Sequence, residues 1–196
     1  MMRNADATRE RILEAAMAEF SACGIAGARV DRIAKAAGCN KNMIYIYYEN
    51  KETLFTTILQ MHLTRVYDEL VFTPEDLPGY AARVFDFTMA NPDLMRLMTW
   101  FSLEQKTDNP AERTAAHNAK VVELTQAQSA GQIGTAFPPN FLLTAIMALS
   151  TAWTATNPFG PSIDSSAIDK SDELRDAVSR VVELMIRDDK NSAAGN

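Results

Sequence analysis

Apolar residues recur at helical spacing along most of the chain, and no segment alternates apolar and polar residues between turn dipeptides as a β-hairpin would. In the first segment Asp6 or Thr8 is a suitable N-cap, and Gly24 stands where a helix commonly ends. The apolar positions between them share one helix face: Ile12, Leu13, Ala16 and Phe20. The pattern predicts an all-α protein whose first helix ends near Gly24.

Two short helices are predicted next. Val30, Ile33 and Ala34 indicate a second helix, and Gly38 is a suitable residue for its end. Asn40 can cap a third helix, because its side chain is able to accept a hydrogen bond from a free backbone N–H. The apolar and aromatic positions of the third helix are Ile44, Tyr47 and Tyr48.

A longer fourth helix follows, with Asn50 as its predicted N-cap. Its apolar positions form two adjacent stripes, which are Leu54, Ile58 and Met61, and Phe55, Leu59, His62 and Val66. A helix that is apolar on more than one side is suited to packing between two units. We therefore expect helix 4, over residues 51–71, to link two domains.

The second half of the chain has helix-start signals at proline residues. Asn91-Pro92 and Asn109-Pro110 each place an N-cap residue before a proline at the first helical position, and Glu112 adds a capping box to the second. With a break at Thr73–Pro78, these signals predict helices near 78–90, 92–106 and 110–129. Two later helices complete a prediction of about nine. They are a helix over Phe141–Ala155 and a final helix capped by Ser171, and a loop over Asn157–Lys170 is predicted between them.

No charged residue occurs between Leu124 and Ile163, a span of 40 residues. The helix within it is too short and too rich in Thr and Ser to cross a membrane, which takes about 20 apolar residues. A helix buried on nearly all sides in a chain of this size indicates a subunit interface. This uncharged helix and the apolar stripe of the final helix together predict a homodimer. The predicted interface contains Leu143, Met147, Leu174, Val178, Val182 and Met185.

The composition is that of a globular protein, with 47% aliphatic and aromatic residues among 196. The polar segment Met1–Arg11 has no apolar run of a secretory signal, which predicts a cytoplasmic protein. The formal net charge of −6 is unfavourable for binding nucleic acid, but it is unevenly distributed. Residues 1–55 hold eight Lys or Arg and seven Asp or Glu, so the acidity lies in the rest of the chain. A basic face on the first domain is therefore compatible with the charge.

The sequence contains no motif of a metal site or an enzyme. Cys23 and Cys39 do not form a CxxC pair, and we expect two buried thiols. His62 and His117, the two histidines, lack HExxH or HxxxH spacing, so structural roles are expected for them. No GxSxG, P-loop or dinucleotide-binding motif occurs. We predict no metal, no cofactor and no enzymatic activity.

The first three helices have the dimensions of a helix-turn-helix, with the turn Ala37-Gly38-Cys39 between the second and the third. Dimensions alone are weak evidence, because many helical hairpins share them. The residue types strengthen the evidence for a helix-turn-helix, since helix 3 would have one buried face containing Ile44 and Tyr48. It would expose side chains that donate hydrogen bonds, namely Asn40, Lys41, Asn42 and Tyr45. Such donors are typical of a surface that contacts DNA.

The segment Thr8–Leu59 resembles the DNA-binding domain of the TetR family of repressors. The match lies in Val30–Gly38, Asn40–Tyr48 and Asn50–Phe55. These segments combine the helix 2 core, the turn glycine, paired tyrosines and a Lys-Glu-x-Leu-Phe start of helix 4, which is a specific combination over about a quarter of the chain. The remainder resembles the family only in helix count and arrangement. The resemblance implies a dimeric repressor that binds a palindromic operator on double-stranded DNA and releases it when a small molecule binds.

The resemblance also assigns roles to single residues. It places the start of helix 3 in the major groove, where the residues that approach base edges are Asn40, Lys41, Asn42 and Met43. It directs Tyr45 and Tyr47 toward phosphates and brings Lys51 to a phosphate from the start of helix 4. Tyr47 is equally compatible with a core position, and Lys51 with a solvated charge.

Three positions depart from the family pattern. Asn42 stands where the family often has Gly, Met43 replaces a common Thr or Ala, and Arg29 replaces a phosphate-binding Thr ahead of helix 2. Arg29 would substitute a longer, charged phosphate contact for a hydroxyl contact. The operator sequence therefore does not follow from the resemblance.

The predicted domains are a helix-turn-helix domain over residues 1–51, a ligand-binding and dimerisation domain over 52–190 and a disordered tail over 191–196. Methionine and aromatic residues in the second domain are suited to an adaptable pocket for an apolar or aromatic ligand, although most would serve equally as core. The predicted pocket consists of Phe85, Met89, Met98, Trp100, Phe101, His117, Met147 and Trp153.

The sequence thus predicts a ligand-responsive DNA-binding regulator, most simply a repressor. The unusual residues Asn42, Met43 and Arg29 keep one alternative open, a helical ligand-binding or interaction protein that no longer binds DNA.

Overall fold

The computed structural model describes residues 2–104 and 111–187. Every regular element in these ranges is helical, which confirms the predicted all-α fold. In chain order the α-helices are α1 (Met2–Gly27), α2 (Val30–Ala36), α3 (Lys41–Tyr48), α4 (Lys51–Glu69), α5 (Leu77–Ala90), α6 (Pro92–Glu104), α7 (Ala111–Ser129), α8 (Pro139–Ser150), α9 (Gly160–Ile163) and α10 (Ser171–Met185). Short 3-10 turns occupy Pro74–Asp76 and Ala167–Lys170.

These helices form two compact units. The N-terminal unit contains the described residues of 1–66 and 92–108, and the C-terminal unit contains those of 67–91 and 109–196. Residues 52–190 are predicted as one functional domain, whereas the contacts group α6 with the helix-turn-helix. The predicted division of function between domains remains a prediction.

Aromatic rings form the centre of the N-terminal unit. The ring of Phe55 in α4 lies edge-on to Phe20 of α1, with 5.2 Å between centroids, and stacks on Phe101 of α6 at 6.4 Å. All three side chains are buried. Burial of each ring contributes about 1.5–3 kcal/mol, so this cluster favours the packing of α6 with α1 and α4.

Gly24 interrupts α1 close to its end. Its φ of 67° and ψ of −177° are non-helical, and the Ala28 N–H closes the following turn on the Gly24 carbonyl at 3.2 Å. Glycine adopts a positive φ at low cost because it has no Cβ. A Cβ at this position would also lie 2.8 Å from Trp100 Cε3 and would overlap the Glu104 carboxylate. Both the backbone and the surroundings therefore require glycine here.

The C-terminal unit is built around α5. α10 packs on α5 and buries Val178 and Val182. Hydroxyl groups join α5 to α8, since Thr88 Oγ1 donates to the Ser150 carbonyl at 3.2 Å and Ser150 Oγ donates to the Ala81 carbonyl at 3.0 Å. These bonds satisfy buried polar groups that would otherwise cost about 1–3 kcal/mol each.

A lysine of α7 is held by aromatic residues in the same unit. Lys120 Nζ donates to the Tyr80 hydroxyl at 2.7 Å and lies 5.6 Å from the centroid of the Phe72 ring. Burial raises the pKa of Tyr80 to about 12 and lowers the pKa of Lys120. The phenol therefore remains neutral at physiological pH and can accept this bond from the ammonium group.

Two predicted helix boundaries are wrong. The helix predicted to reach Ala155 ends at Ser150, because the hydroxyl of Thr154 bonds the Thr151 carbonyl at 2.8 Å and such local bonds compete with helix continuation. Ser171 is the first residue of α10 rather than its cap, and Lys170 occupies the N-cap position without a side-chain bond. The predicted loop 157–170 also contains α9 and a 3-10 turn. The predicted cap at Asn109-Pro110 and the tail over 191–196 lie outside the described residues.

The predicted dimer interface contains residues that the single chain already buries. Val178, Val182 and Leu143 are 1%, 0% and 7% exposed, so their side chains belong to the core of the subunit. The other predicted interface residues, Met147, Leu174 and Met185, are half-buried. The large apolar residues that α8 and α10 leave exposed are different ones, namely Phe141, Val181 and Leu184.

We expect Gly24→Ala to lower the free energy of unfolding by about 3 kcal/mol. The positive φ costs alanine about 1–2 kcal/mol, and the overlap with Trp100 and Glu104 adds a similar overpacking cost, about 1–3 kcal/mol. Gly38→Ala is the matched control, because Gly38 has a φ of 62° but a methyl group added there would meet no described atom within 4 Å. Urea unfolding of both variants would measure the difference, and equal losses would show that the contact with α6 is unimportant.

Candidate nucleic-acid interface

The turn between α2 and α3 is fixed by backbone hydrogen bonds. Gly38 has a φ of 62°, and the N–H groups of Gly38 and Cys39 donate to the carbonyls of Lys35 and Ala34 at 3.2 and 3.0 Å. This arrangement satisfies the last carbonyls of α2 and turns the chain sharply. Ile33 and Ile44 are buried and hold the two helices together. The residues that α3 presents to solvent are thereby held on a rigid support.

Asn40 is the N-cap of α3, as predicted. Its Oδ1 accepts the Asn42 N–H at 2.9 Å. The capping bond therefore uses one of the two lone pairs of Asn40 Oδ1 and fixes the orientation of the side chain, while the Nδ2 group can donate to a base. Asn42 is exposed and uses only its backbone in this bond, so its whole amide faces solvent.

A groove of about 520 Å³ lies beside α3. It is lined by four of the predicted DNA-binding residues, Arg29, Lys41, Tyr45 and Lys51. The other lining residues are Ala28, Val30, Asp31, Asn50 and Glu52. The N-cap of α2 and the first residues of α3 and α4 thus bring three cations to one surface depression, and Tyr45 from the middle of α3 adds a phenol.

Lys51 has a defined position in this groove. Asn50 Oδ1 caps α4 by accepting the Thr53 N–H at 2.7 Å, which fixes the start of the helix. Lys51 Nζ donates to the Ala28 carbonyl at 3.2 Å, and the side chain is half-buried. An ammonium group has three N–H donors, so this bond orients the lysine and leaves donors for a phosphate.

Lys41 is paired with an acidic residue of α2. Its Nζ lies 2.9 Å from Asp31 Oδ1, and this hydrogen bond raises the pKa of Lys41. Both side chains are exposed, so the pair adds little to stability. Its effect is on position, because Asp31 holds the ammonium group beside the groove.

Arg29 is placed by a network between α1 and α2. Its backbone N–H donates to Glu19 Oε1 at 2.8 Å, and Arg32 Nε donates to the same oxygen at 2.7 Å. Burial alone would raise the pKa of Glu19, but the bonds from Arg32 and the Arg29 backbone outweigh it and lower that pKa. The Arg29 side chain itself remains exposed.

Tyr47 differs from Tyr45 in its surroundings. Tyr45 is 41% exposed and faces the groove, whereas Tyr47 is half-buried beneath the guanidinium of Arg9, 5.2 Å from the ring centroid. Its ring also lies 6.2 Å from that of Tyr48, which is buried. Burial raises the pKa of Tyr48. Tyr47 is thus partly packed and partly accessible, which is compatible with both roles that its sequence position allows.

Sequence reasoning missed the apolar residue Ile46 of α3 and the two acidic residues of the groove, Asp31 and Glu52. Ile46 is a large apolar side chain that is 71% exposed on α3, and Asp31 lines the groove beside Lys41. Helical spacing contained the signal for Ile46, because positions 42, 45, 46 and 49 share one face of a helix. The position of Asp31 depends on how α2 packs against α3, which local patterns do not reveal. Met43, predicted to approach bases, is half-buried.

The predicted ligand-pocket residues divide between the two units. Met98, Trp100 and Phe101 lie on α6 in the N-terminal unit, where Trp100 Nε1 donates to the Ser21 carbonyl at 3.2 Å. The other five lie in the C-terminal unit, namely Phe85, Met89, His117, Met147 and Trp153. In that unit the rings of Phe85 and Trp153 meet edge to face, with 6.3 Å between centroids.

Cysteine and histidine residues do not gather into a site. Cys23 and Cys39, predicted as buried thiols, are half-buried and form no disulfide. Burial lowers the pKa of His62, with a further contribution from Arg65. Among the described residues, no group of three or more His, Cys, Asp or Glu side chains is arranged to hold a metal ion. No helix within 2–104 or 111–187 is both long enough and apolar enough to span a membrane.

The chain matches known families at both ends. Residues 12–58 match a family described as bacterial regulatory proteins, tetR family, and residues 76–183 match a tetracyclin repressor-like C-terminal domain. The HTH-type transcriptional repressor SCO4008 of Streptomyces coelicolor is 36% identical over 188 residues, which cover 94% of this chain and 97% of that protein.

Solved structures agree with these matches. The transcriptional regulator SCO4942 of Streptomyces coelicolor has a TM-score of 0.81 at 36% identity, over 91% of this chain and 98% of that one. FadR from Bacillus subtilis, solved with stearoyl-CoA, shares the fold with a TM-score of 0.61 at 17% identity, over 87% and 97% of the two chains. Regulators of this kind bind DNA as dimers and bind small-molecule ligands. The chain therefore belongs to the TetR family of helix-turn-helix transcriptional repressors.

Proposed function

We propose that the groove beside α3 binds the phosphate backbone of an operator while the start of α3 contacts base edges. The observation that carries this proposal is the convergence of Arg29, Lys41 and Lys51 on one groove, although they come from three helices. Phosphate contacts supply affinity and orientation without reading sequence. The acidic residues Asp31 and Glu52 in the same groove limit its net charge, which favours a site that depends on additional base contacts.

In this proposal the exposed residues of α3 recognise the base sequence of the operator. Asn42 can pair with adenine through both atoms of its amide, and the methyl groups of Ile46 can contact a thymine methyl group. Asn40 contributes less than its sequence position suggests, because its Oδ1 caps α3. Two subunits related by a two-fold axis would place two such helices about 34–36 Å apart or somewhat further, which requires a near-palindromic operator.

The proposed dimer uses the outer faces of α8 and α10. Val181 and Leu184 are 40% and 58% exposed on α10, and Phe141 is 53% exposed on α8 and stacks on Phe137. A contiguous exposed apolar patch is typical of an interface, and the two helices that carry these side chains contact each other. The half-buried residues Met147, Leu174 and Met185 lie on the same two helices and remain part of the proposal.

The proposed inducer is an apolar or aromatic molecule that binds in the C-terminal unit. In that unit the ring of Trp153 contacts the buried ring of Phe85, and Met89 and Met147 are half-buried. A ligand that displaces these adaptable side chains would therefore meet aromatic and thioether groups. A ligand alters operator affinity only by binding one conformation of the dimer better than another. We propose a regulator and no catalytic role, and the cytoplasmic location remains a prediction from the sequence.

The DNA-binding proposal predicts separable effects of two substitutions. Lys51→Ala should weaken specific and random DNA by a similar factor and lower the slope of log affinity against log salt by about one per subunit. Asn42→Ala should cost about 1–3 kcal/mol on the operator and much less on random DNA. Fluorescence anisotropy at several salt concentrations, with an operator selected from genomic fragments, measures both.

The control for charge is Lys170→Ala, which removes an exposed lysine of the C-terminal unit and should leave the salt slope unchanged. If Lys51→Ala and Asn42→Ala both leave affinity unchanged, the groove and α3 do not bind the operator, and the alternative of a helical protein that has lost DNA binding gains support. Selected fragments without an inverted repeat would contradict the palindromic site.

The interface proposal predicts that Leu184→Glu produces monomers, because an unpaired carboxylate buried between subunits costs several kcal/mol. Val122→Glu is the matched control, since Val122 is 54% exposed on α7, outside the proposed interface. Sedimentation velocity distinguishes the two states. A dimeric Leu184→Glu protein, or a monomeric Val122→Glu protein, would place the interface elsewhere.

The ligand proposal predicts that naphthalene derivatives quench the fluorescence of Trp153 and raise the melting temperature. Trp100→Phe leaves Trp153 as the sole tryptophan, so quenching in that variant reports the C-terminal unit. Met89→Ala should weaken the quenching. Quenching of the wild-type protein without a change in its operator affinity would demonstrate binding and contradict induction.

A further inference from the structure

The interruption of α1 at Gly24 affects two backbone hydrogen-bonding pairs. In an unbroken α-helix the carbonyl of residue 21 accepts the N–H of residue 25, and the N–H of residue 26 donates to the carbonyl of residue 22. The non-helical torsions of Gly24 fall between the members of both pairs. A polar group on each side of the break therefore benefits from a partner outside α1.

α6 supplies a partner to one member of each pair. Trp100 Nε1 donates to the Ser21 carbonyl at 3.2 Å, before the break. Both carboxylate oxygens of Glu104 accept the Ala26 N–H at 3.2 Å, after the break. A hydrogen bond with an ionised acceptor is stronger than one between neutral groups. Glycine at position 24 leaves the space that the indole ring and the carboxylate occupy.

The segment held by Glu104 continues directly into the DNA-binding groove. Two residues after Ala26, the carbonyl of Ala28 accepts the bond from Lys51 Nζ at 3.2 Å. The next residue, Arg29, is the N-cap residue of α2 and is tied to Glu19 through its backbone N–H. A displacement of Ala26 would therefore move the acceptor that orients Lys51 and the backbone that carries Arg29.

We propose that Trp100 and Glu104 are positioning residues for DNA binding. By holding α1 on both sides of Gly24, they set the path of residues 26–29 and thereby the place of Lys51 and Arg29 in the groove. This inference rests on the phosphate-binding role proposed above for Lys51. It gives Trp100 a role within the N-terminal unit that differs from the ligand contact expected from the sequence.

The decisive variants are Glu104→Ala, Glu104→Gln and Asp93→Ala. All three remove one negative charge from α6, and a purely electrostatic effect would raise the affinity for DNA in each case. Glu104→Gln keeps an oxygen that accepts the Ala26 N–H, and Asp93 lies at the other, exposed end of the helix. We expect Glu104→Ala alone to lower operator affinity, by about tenfold, as for the loss of a hydrogen bond to a charged group.

The coupling to Lys51 separates positioning from general stability. In the Lys51→Ala background, Glu104→Ala should reduce affinity by clearly less than in the wild-type background, by about threefold or less, because the contribution through Lys51 is already lost and only the one through Arg29 remains. The salt slope of Glu104→Ala should shift toward that of Lys51→Ala. Loss of stability alone would produce neither effect at a temperature where circular dichroism shows every variant to be folded.

The outcomes distinguish the two proposals. If Lys51→Ala weakens binding but Glu104→Ala does not, or if their effects add in full, the positioning role is overturned and the phosphate role stands. If Lys51→Ala has no effect, the phosphate role fails first. Trp100→Phe, which keeps an aromatic ring but removes the donor to Ser21, repeats the test in case Glu104→Ala does not fold, and it should show the same coupling to Lys51.

Discussion

The break of α1 at Gly24 is the constraint on which the arrangement of the N-terminal unit depends. A positive φ at this residue lets the chain leave the helix axis before α2 begins, and the absence of a side chain lets α6 approach. Trp100 and Glu104 then bond the backbone on the two sides of the break, while Phe101 stacks on Phe55. One conformational requirement thus accounts for both the direction of the chain into the helix-turn-helix and the inclusion of α6 in that unit.

The groove beside α3 contains both basic side chains that attract phosphates and acidic side chains that repel them. Arg29, Lys41 and Lys51 would bind phosphates, yet Lys41 is paired with Asp31. Phosphate binding must then compete with this carboxylate, which lowers the affinity for DNA of any sequence. A regulator gains specificity when its non-specific affinity is limited, since the genome offers a large excess of competing sites. The acidic residues of the groove are consistent with the overall acidity of the chain and do not argue against DNA binding.

Local signals in the sequence were sufficient for the helix-turn-helix. The caps at Asn40 and Asn50 and the turn at Gly38 depend on a few neighbouring residues, and the structure contains all of them. The family resemblance pointed to the basic residues and the tyrosine that line the groove, but not to its acidic residues Asp31 and Glu52. The roles of Trp100 and Glu104 were not accessible in this way, because their partners are backbone atoms more than 70 positions away in sequence. Composition marked Trp100 as a ligand contact only because it is aromatic.

The final helix shows why an apolar stripe does not identify its own partner. Hydrophobic spacing correctly found the stripe containing Val178 and Val182, but α5 of the same chain covers it. Since those side chains are already removed from water, a second subunit would gain nothing by contacting them. Dimerisation needs apolar surface that the folded subunit leaves exposed. On α10 this surface is Val181 and Leu184, which lie on a different face of the helix from Val178 and Val182. The dimer interface proposed above therefore uses this second stripe and Phe141 of α8, in place of the buried residues expected from the sequence.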